Sequence, residues 1–342
     1  MPDRRPSPDQ IRRLLVIKLS SMGDLFHALP TVRALKHASG ATVDWLVQPA
    51  YVPLAGCFTD VDRVLAFPRH RVALFLFRFL QELRRERYDL VVDLQGLLKS
   101  AIPSRLTRRT RGAPVLGPSF HREGSRLFYS AVAGPRNKAR HAVDECLDAI
   151  RWLGWPLPET AEFPVRFPAV PRIGPGPVVG LVPASRWPTK NWPPEYFADL
   201  ARRLMNAGAQ ILLLGGRDER PACDEIERSL GPGGGVYNRA GETSLPELGG
   251  WMANCDLLVT VDSGPMHMAA ALGRPVLALF GPTEPSRTGP YGRESQTLWV
   301  DGLSCRPCFS RTCARADIAC MRQLYPSRVA DAALRMLPAA RG

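Results

Sequence analysis

Nowhere in the 342 residues does an uninterrupted apolar run approach the roughly 18–20 residues of a membrane-spanning helix. The opening Met1-Pro2-Asp3-Arg4-Arg5-Pro6 has no apolar stretch behind it of the kind a signal peptide carries. Together these absences predict a soluble, cytoplasmic protein. Two nucleotide signatures are missing as well: there is no G-x-G-x-x-G and no G-K-[ST], so neither a dinucleotide fingerprint nor a P-loop announces itself. Acidic residues are in deficit, 32 Asp and Glu against 45 Lys and Arg, for a formal net charge of +13. That excess favours an anionic partner, whether nucleic acid, an anionic membrane surface or a phosphorylated substrate; a solvated basic face is the bland alternative. No nucleic-acid motif accompanies the charge, and the aromatic residues are not interleaved with the arginines as in a base-stacking platform.

With 45% hydrophobic and 23% charged residues the chain is expected to bury a real core. Its length suits two domains, since single domains run on the order of 100–200 residues. Apolar β-branched runs alternate with helical patterns, which predicts an α/β fold around parallel sheets. In the first half the spacing predicts strands at 14–19, 42–47 and 90–94, with helices over 24–39 and 71–87. The basic stretch 99–111 reads as irregular. Residues 152–177 are dense in proline and glycine and read as an interdomain linker. Beyond it, strands are predicted at 178–182, 210–214, 257–261 and 276–280, and helices at 194–206, 218–230, 245–253 and 266–272. The domains are accordingly set at 1–165 and 176–342. In such doubly wound sheets ligands bind at the carboxyl ends of the strands.

Four places carry candidate chemistry, the first three of them at such strand ends. Ser20-Ser21-Met22-Gly23-Asp24 follows the first strand and opens a helix, where serines and backbone amides suit an anion; Ser and Asp are also ordinary caps at that position. Ala184 to Pro193 follows a strand in the second half. Ser185, Arg186, Thr189 and Lys190 supply hydroxyls and charge for oxyanions, although two tryptophans and two prolines also make a rigid packing loop. In Val261-Asp262-Ser263-Gly264-Pro265-Met266-His267 a buried strand ends in a polar turn that leads into an Ala-rich helix. Its backbone amides and helix dipole make a cradle for a diphosphate. Asp262 is placed to accept sugar hydroxyls, and His267 either reaches the ligand or packs. Gly281-Pro282-Thr283-Glu284-Pro285 repeats the theme after the next strand.

The fourth place is a cysteine cluster: Cys305-x-x-Cys308 followed by Cys313 and Cys320. One C-x-x-C with two loosely spaced cysteines leaves metal binding, a disulfide and plain thiols all open. Cys57, Cys146, Cys223 and Cys255 are scattered and read as small buried apolar residues.

These residues resemble the lipopolysaccharide heptosyltransferases of glycosyltransferase family 9. The matching pieces are S-S-M-G-D-L-F-H-A-L-P from Ser20, D-L-Q-G-L-L-K-S-A from Asp93, H-A-V-D-E from His141, K-N-W-P from Lys190, and V-D-S-G-P-M-H. The resemblance implies the two-domain GT-B type, in which two Rossmann-like domains face a central cleft, the N-terminal one handling the acceptor and the C-terminal one ADP-heptose. Carried over, Asp24 looks like the general base and Lys190 like the lysine on the donor diphosphate. Ser185, Arg186, Asp262, Ser263, Gly264 and His267 fall on donor-binding positions, with Arg186 a departure from the family's hydroxyl residue. Lys99 and His141 match the acceptor side. The implied acceptor is an anionic lipid, Kdo-lipid A or its heptosylated form, at the inner leaflet, which makes the protein peripheral on the inner membrane. No catalytic metal and no cofactor beyond the ADP-heptose donor is implied. The N-terminal motifs look most like heptosyltransferase I, whereas the cysteine tail is more reminiscent of the heptosyltransferase II branch. A nucleotide-sugar epimerase or hydrolase on the same fold, and a basic nucleic-acid-binding module, are the rival readings. The oligomeric state is left open.

Overall fold

The computed structural model describes residues 5–68, 72–137, 139–231, 233–292 and 294–338. They divide into two compact units, one ending at Arg166 and the other beginning at Phe167. No helix among the described residues is long and apolar enough to cross a membrane.

The first unit is built on a parallel sheet of β1 (Arg13–Ile17), β2 (Thr42–Val47), β3 (Arg63–Ala66), β4 (Leu90–Asp93), β5 (Val115–Pro118) and β6 (Ala131–Ala133), in the order β3-β2-β1-β4-β5-β6. Its longer helices are α1 (Met22–Ser39), α2 (Val72–Leu83), α3 (Leu98–Leu106) and α4 (Ala142–Leu153), with α1 and α4 packed against each other. Leu14 to Ile17 are fully buried, as a strand covered on both faces requires.

The second unit repeats the plan. Its strands are β7 (Val178–Val182), β8 (Gln210–Leu213), β9 (Val236–Asn238), β10 (Leu257–Val261), β11 (Val276–Leu279) and β12 (Ser295–Leu298), all parallel in the order β9-β8-β7-β10-β11-β12. Its longer helices are α5 (Pro194–Asn206), α6 (Arg220–Leu230), α7 (Leu245–Ala253), α8 (Gly264–Ala271) and α9 (Pro326–Met336). Both sheets thus have the Rossmann strand order, and the expected α/β architecture of two Rossmann-like units is observed. In each, the order reverses between two neighbouring strands, β1 and β4 in the first unit and β7 and β10 in the second. Crevices in doubly wound sheets open at that point.

Two expectations need correction. Residues 99–111 are not wholly irregular: α3 runs to Leu106, because Ser100 and Ser104 turn inward and bond their hydroxyls to Leu97 and Ala101 carbonyls, leaving the basic side chains outside. The helix expected over 71–87 ends at Leu83, while Arg87–Tyr88 form a short strand; Arg71 lies outside the described residues. The boundary between the units falls inside the proline-rich stretch. Val165 bridges Phe58, and Thr59 donates to the Pro164 carbonyl, so its first part belongs to the first unit. Phe167 and Pro168 lie where side chains on Gly249 and Gly250 of α7 would stand, fastening the next part to the second unit.

Candidate functional site

In the first unit, β1 and β4 end side by side and their loops are tied together. The Gln95 Oε1 accepts from the backbone amides of Leu19 and Ser20 at 2.9 and 3.0 Å. Gln95 is aimed by the buried Asp93, whose Oδ1 accepts from the Gln95 and Gly96 amides at 2.8 and 3.2 Å and whose Oδ2 accepts from the Tyr129 hydroxyl at 2.8 Å. Burial pushes the Asp93 carboxyl up, partly offset by these hydrogen bonds. Asp93 is therefore a structural brace rather than a ligand group.

Asp24 stands in the first turn of α1, partly buried. Its Oδ2 accepts from the Ser21 amide at 2.7 Å and the Ser21 hydroxyl at 2.8 Å, which is the capping role that sequence allowed. Its Oδ1 faces His27 Nδ1 at 3.8 Å. Burial pushes the carboxyl up, but the Lys18 ammonium, His27 and the Ser21 amide outweigh it and hold Asp24 well below the usual carboxylate range. Capping and ionisation coexist here because the two oxygens are used separately.

Lys18 was read only as part of a strand. It is 5% exposed, and its Nζ donates to the Leu94 carbonyl at 2.6 Å, which places a buried cation beneath the Asp24 turn. The signal was a lysine at the carboxyl end of an otherwise apolar run. His141 caps α4, its Nδ1 accepting from the Val143 amide at 3.2 Å, and its ring lies 5.7 Å from that of His27. The structure thus joins His141 to the Asp24 group through His27. Lys99 is exposed at the start of α3, after the β4 loop that carries Gln95.

The second unit places an equivalent arrangement at its own reversal point. The loop after β7 ends in a single 3-10 turn, Pro188–Lys190, and the turn after β10 holds Asp262 and Ser263 before α8 begins at Gly264. Lys190 Nζ pairs with Asp262 Oδ2 at 2.6 Å, and the Thr283 hydroxyl donates to the same oxygen at 2.7 Å. Asp262 is 5% exposed and so is paid for by an ion pair and a hydrogen bond. Lys190 also lies 4.6 Å from the centre of the Trp187 ring, with the Arg311 guanidinium 4.8 Å from the same ring.

Ser185 is engaged differently from the oxyanion donor expected. Its hydroxyl donates to the Trp187 carbonyl at 3.2 Å and accepts from the Trp187 amide at 3.3 Å, while its amide donates to Asn191 Oδ1 at 2.7 Å. These bonds fold the loop that carries Lys190. Arg186 is exposed beside it. Ser263 caps α8 by position, its hydroxyl 3.3 Å from that of Thr260, and His267 is buried on the first turns of the same helix. The amides of Ser263 and Gly264 sit at the positive end of an eight-residue helix. A dense cation, a helix start and an aromatic plate suit a nucleoside diphosphate. Thr283 was signalled only as part of a polar turn after the next strand; its bond to Asp262 ties that turn to the same crevice. Of the scattered cysteines, Cys146, Cys223 and Cys255 are buried as expected, whereas Cys57 is partly exposed.

Comparison with known proteins bears on this geometry. The sequence profile of glycosyltransferase family 9 (heptosyltransferase) matches residues 76–319. Lipopolysaccharide heptosyltransferase 1 of Pseudomonas aeruginosa is 33% identical, with 95% of this chain and 98% of that protein aligned. The Escherichia coli heptosyltransferase WaaC, solved with ADP, superposes with a TM-score of 0.73 at 27% identity, covering 83% of this chain and 92% of that one. The same enzyme solved with ADP-2-deoxy-2-fluoro heptose gives a TM-score of 0.69 at 26% identity over 84% and 92% of the two chains.

Proposed function

Because this chain belongs to glycosyltransferase family 9, the heptosyltransferases, we propose that it moves a heptose from ADP-heptose to the lipopolysaccharide inner core. The observation that carries this reading is the Lys190–Asp262 pair at 2.6 Å, set at the strand-order reversal of the second unit beside a helix start. A relative solved with ADP and with a fluorinated ADP-heptose supports the reading that this crevice takes the donor. Family membership also favours transfer over the epimerase, hydrolase and nucleic-acid readings.

In the proposed step, Asp24 accepts the proton of an acceptor hydroxyl while that oxygen attacks the anomeric carbon. The bond from this carbon to the ADP phosphate oxygen breaks, and ADP leaves with the electron pair. Lys190 stabilises the charge that builds on ADP. The anomeric centre inverts in a single displacement, with no covalent sugar intermediate and no metal required for transfer. Asp24 is suited to begin the cycle ionised, since Lys18, His27 and the Ser21 amide favour its charged form. Arg186, Ser263, Gly264 and His267 would line the donor, with Ser185 and Asp262 shaping the loop and lysine that grip it. Lys99 and His141 would meet an anionic, lipid-linked acceptor on the inner leaflet, to which a peripheral enzyme comes from the cytoplasm.

The relative aligned over 95% of this chain is a heptosyltransferase 1, so the acceptor proposed is Kdo-lipid A carrying no heptose. The test is transfer from ADP-heptose to Kdo-lipid A with and without a first heptose. Product on the unheptosylated lipid supports the reading. Product only on the heptosylated lipid moves the enzyme one step later, and rapid consumption of ADP-heptose without acceptor returns the hydrolase reading.

A further inference from the structure

After β12 the chain runs through a segment, 301–318, without a strand or helix. Most of it is exposed, and Phe309, Ala316 and Ile318 hold left-handed φ values of 52, 61 and 40°. With little buried apolar surface to order such a stretch, a cross-link would add to what holds it in one conformation. Four cysteines are at hand: Cys305, Cys308, Cys313 and Cys320 are all free thiols, and all four line one small cavity of about 100 Å3 together with Thr189, Arg315 and Asp317.

The bland alternatives fit poorly. Cys305 and Cys308 are exposed and contribute nothing to an apolar core. The arrangement C-x-x-C, then two further cysteines, brings four soft ligands to one void, the donor set that favours an ion preferring tetrahedral sulfur. As placed, the sulfurs are not gathered round one point: among the described residues no group of three or more His, Cys, Asp or Glu side chains stands assembled as a metal site. The cavity is larger than an ion needs and leaves the thiols room to turn inward.

We infer that Cys305, Cys308, Cys313 and Cys320 form a structural site for a thiophilic divalent ion, zinc by preference, that pins segment 301–318 to the donor-side loops. On binding, each thiol gives up its proton and donates a sulfur lone pair, so the ion is neither oxidised nor reduced. Arg315, which lines the same cavity and pairs with Asp317 at 3.0 Å, would offset part of the negative charge of the four thiolates. What the site would pin is visible. The Thr189 hydroxyl donates to the Ser310 carbonyl at 2.7 Å, the Phe309 amide donates to the Pro282 carbonyl at 2.9 Å, and Arg306 donates to the Gly281 and Thr283 carbonyls at 2.9 and 3.1 Å. These bonds reach both loops that flank Lys190 and Asp262.

The full chain, purified without chelators, is unfolded in guanidinium and its released zinc is measured with a chromogenic chelator. An equimolar amount is expected, lost in Cys308→Ser and in Cys313→Ser and retained in Cys57→Ser, whose thiol lies outside the cluster. Should the serine variants fail to fold, cobalt(II) added to the metal-stripped natural protein is expected to produce the intense thiolate-to-cobalt absorption of a tetrahedral sulfur site. Folded protein with four freely reacting thiols and only traces of metal would overturn the inference. So would disulfides among the four, full metal retention in Cys308→Ser, or a cobalt spectrum without the thiolate band. None of these readouts depends on transferase activity.

Discussion

At the scale of single residues, Asp24 and Lys190 make separable demands. Asp24→Ala is expected to abolish transfer while leaving ADP-heptose binding nearly intact, read as product formation against calorimetric affinity. Lys190→Ala should damage both. It should also lower stability, since a buried Asp262 loses its counter-charge, a loss worth about 3 kcal/mol for pairs of this kind. Combining it with Asp262→Asn removes the stranded charge, so urea melts of the double variant should recover part of the loss while activity stays absent. Equal stability of the single and double variants would show that the pair is not coupled.

The depressed Asp24 carboxyl has a pH signature as well. A group whose folded value lies below its unfolded one contributes stability above the unfolded value, about 3.9 for aspartate, and that stability is lost as pH falls toward the folded value. The acid limb of kcat/KM should therefore show no step in the ordinary carboxylate range. Lys18→Met withdraws the buried cation that favours the charged form, so the limb should move to higher pH. An unchanged limb in that variant would separate Lys18 from Asp24.

At the scale of elements, the four inner strands of the second unit, β7, β8, β10 and β11, were legible almost to the residue because they are buried on both faces and read as apolar runs, as at Leu257–Val261. The edge strands β3, β6, β9 and β12 escaped because they are short and carry partly exposed residues, which blurs the pattern. The helix α4 was visible only as the motif around His141. In the site, the turn after β10 was legible as a strand that ends in polar residues. Lys18 and the Gln95 brace were not, since their roles depend on β1 and β4 being neighbours although about 76 residues separate them. The brace yields a prediction at Gly117 of β5. A Cβ there would stand inside the ring of Tyr129, whose hydroxyl holds Asp93. Gly117→Ala should cost about 1–3 kcal/mol by overpacking, seen in urea melts. It should also lower kcat, because Asp93 no longer aims Gln95 at the loop before Asp24.

At the scale of the whole molecule, two sheets of one strand order carry different chemical endowments: a carboxylate held ionised in the first unit, and a paired lysine beside a helix start in the second. The same topology therefore fixes where a ligand sits without fixing which ligand, and the residues on the loops after β1, β4, β7 and β10 decide the rest. Charge acts at this scale too. The chain carries +13, no described helix can span a bilayer, and Phe77 on α2 is 71% exposed. An enzyme whose acceptor is an anionic lipid would then reach the membrane by electrostatic attraction, each basic residue near the surface adding on the order of 1 kcal/mol. Sedimentation with vesicles containing phosphatidylglycerol should pull the protein down at low salt and release it as salt rises. The Debye length shortens from about 10 Å at 0.1 M to 3 Å at 1 M. Zwitterionic vesicles should retain little at any salt. Binding to them equal to that on anionic vesicles would assign the attachment to apolar insertion, and Phe77→Ser would then be the variant that abolishes it.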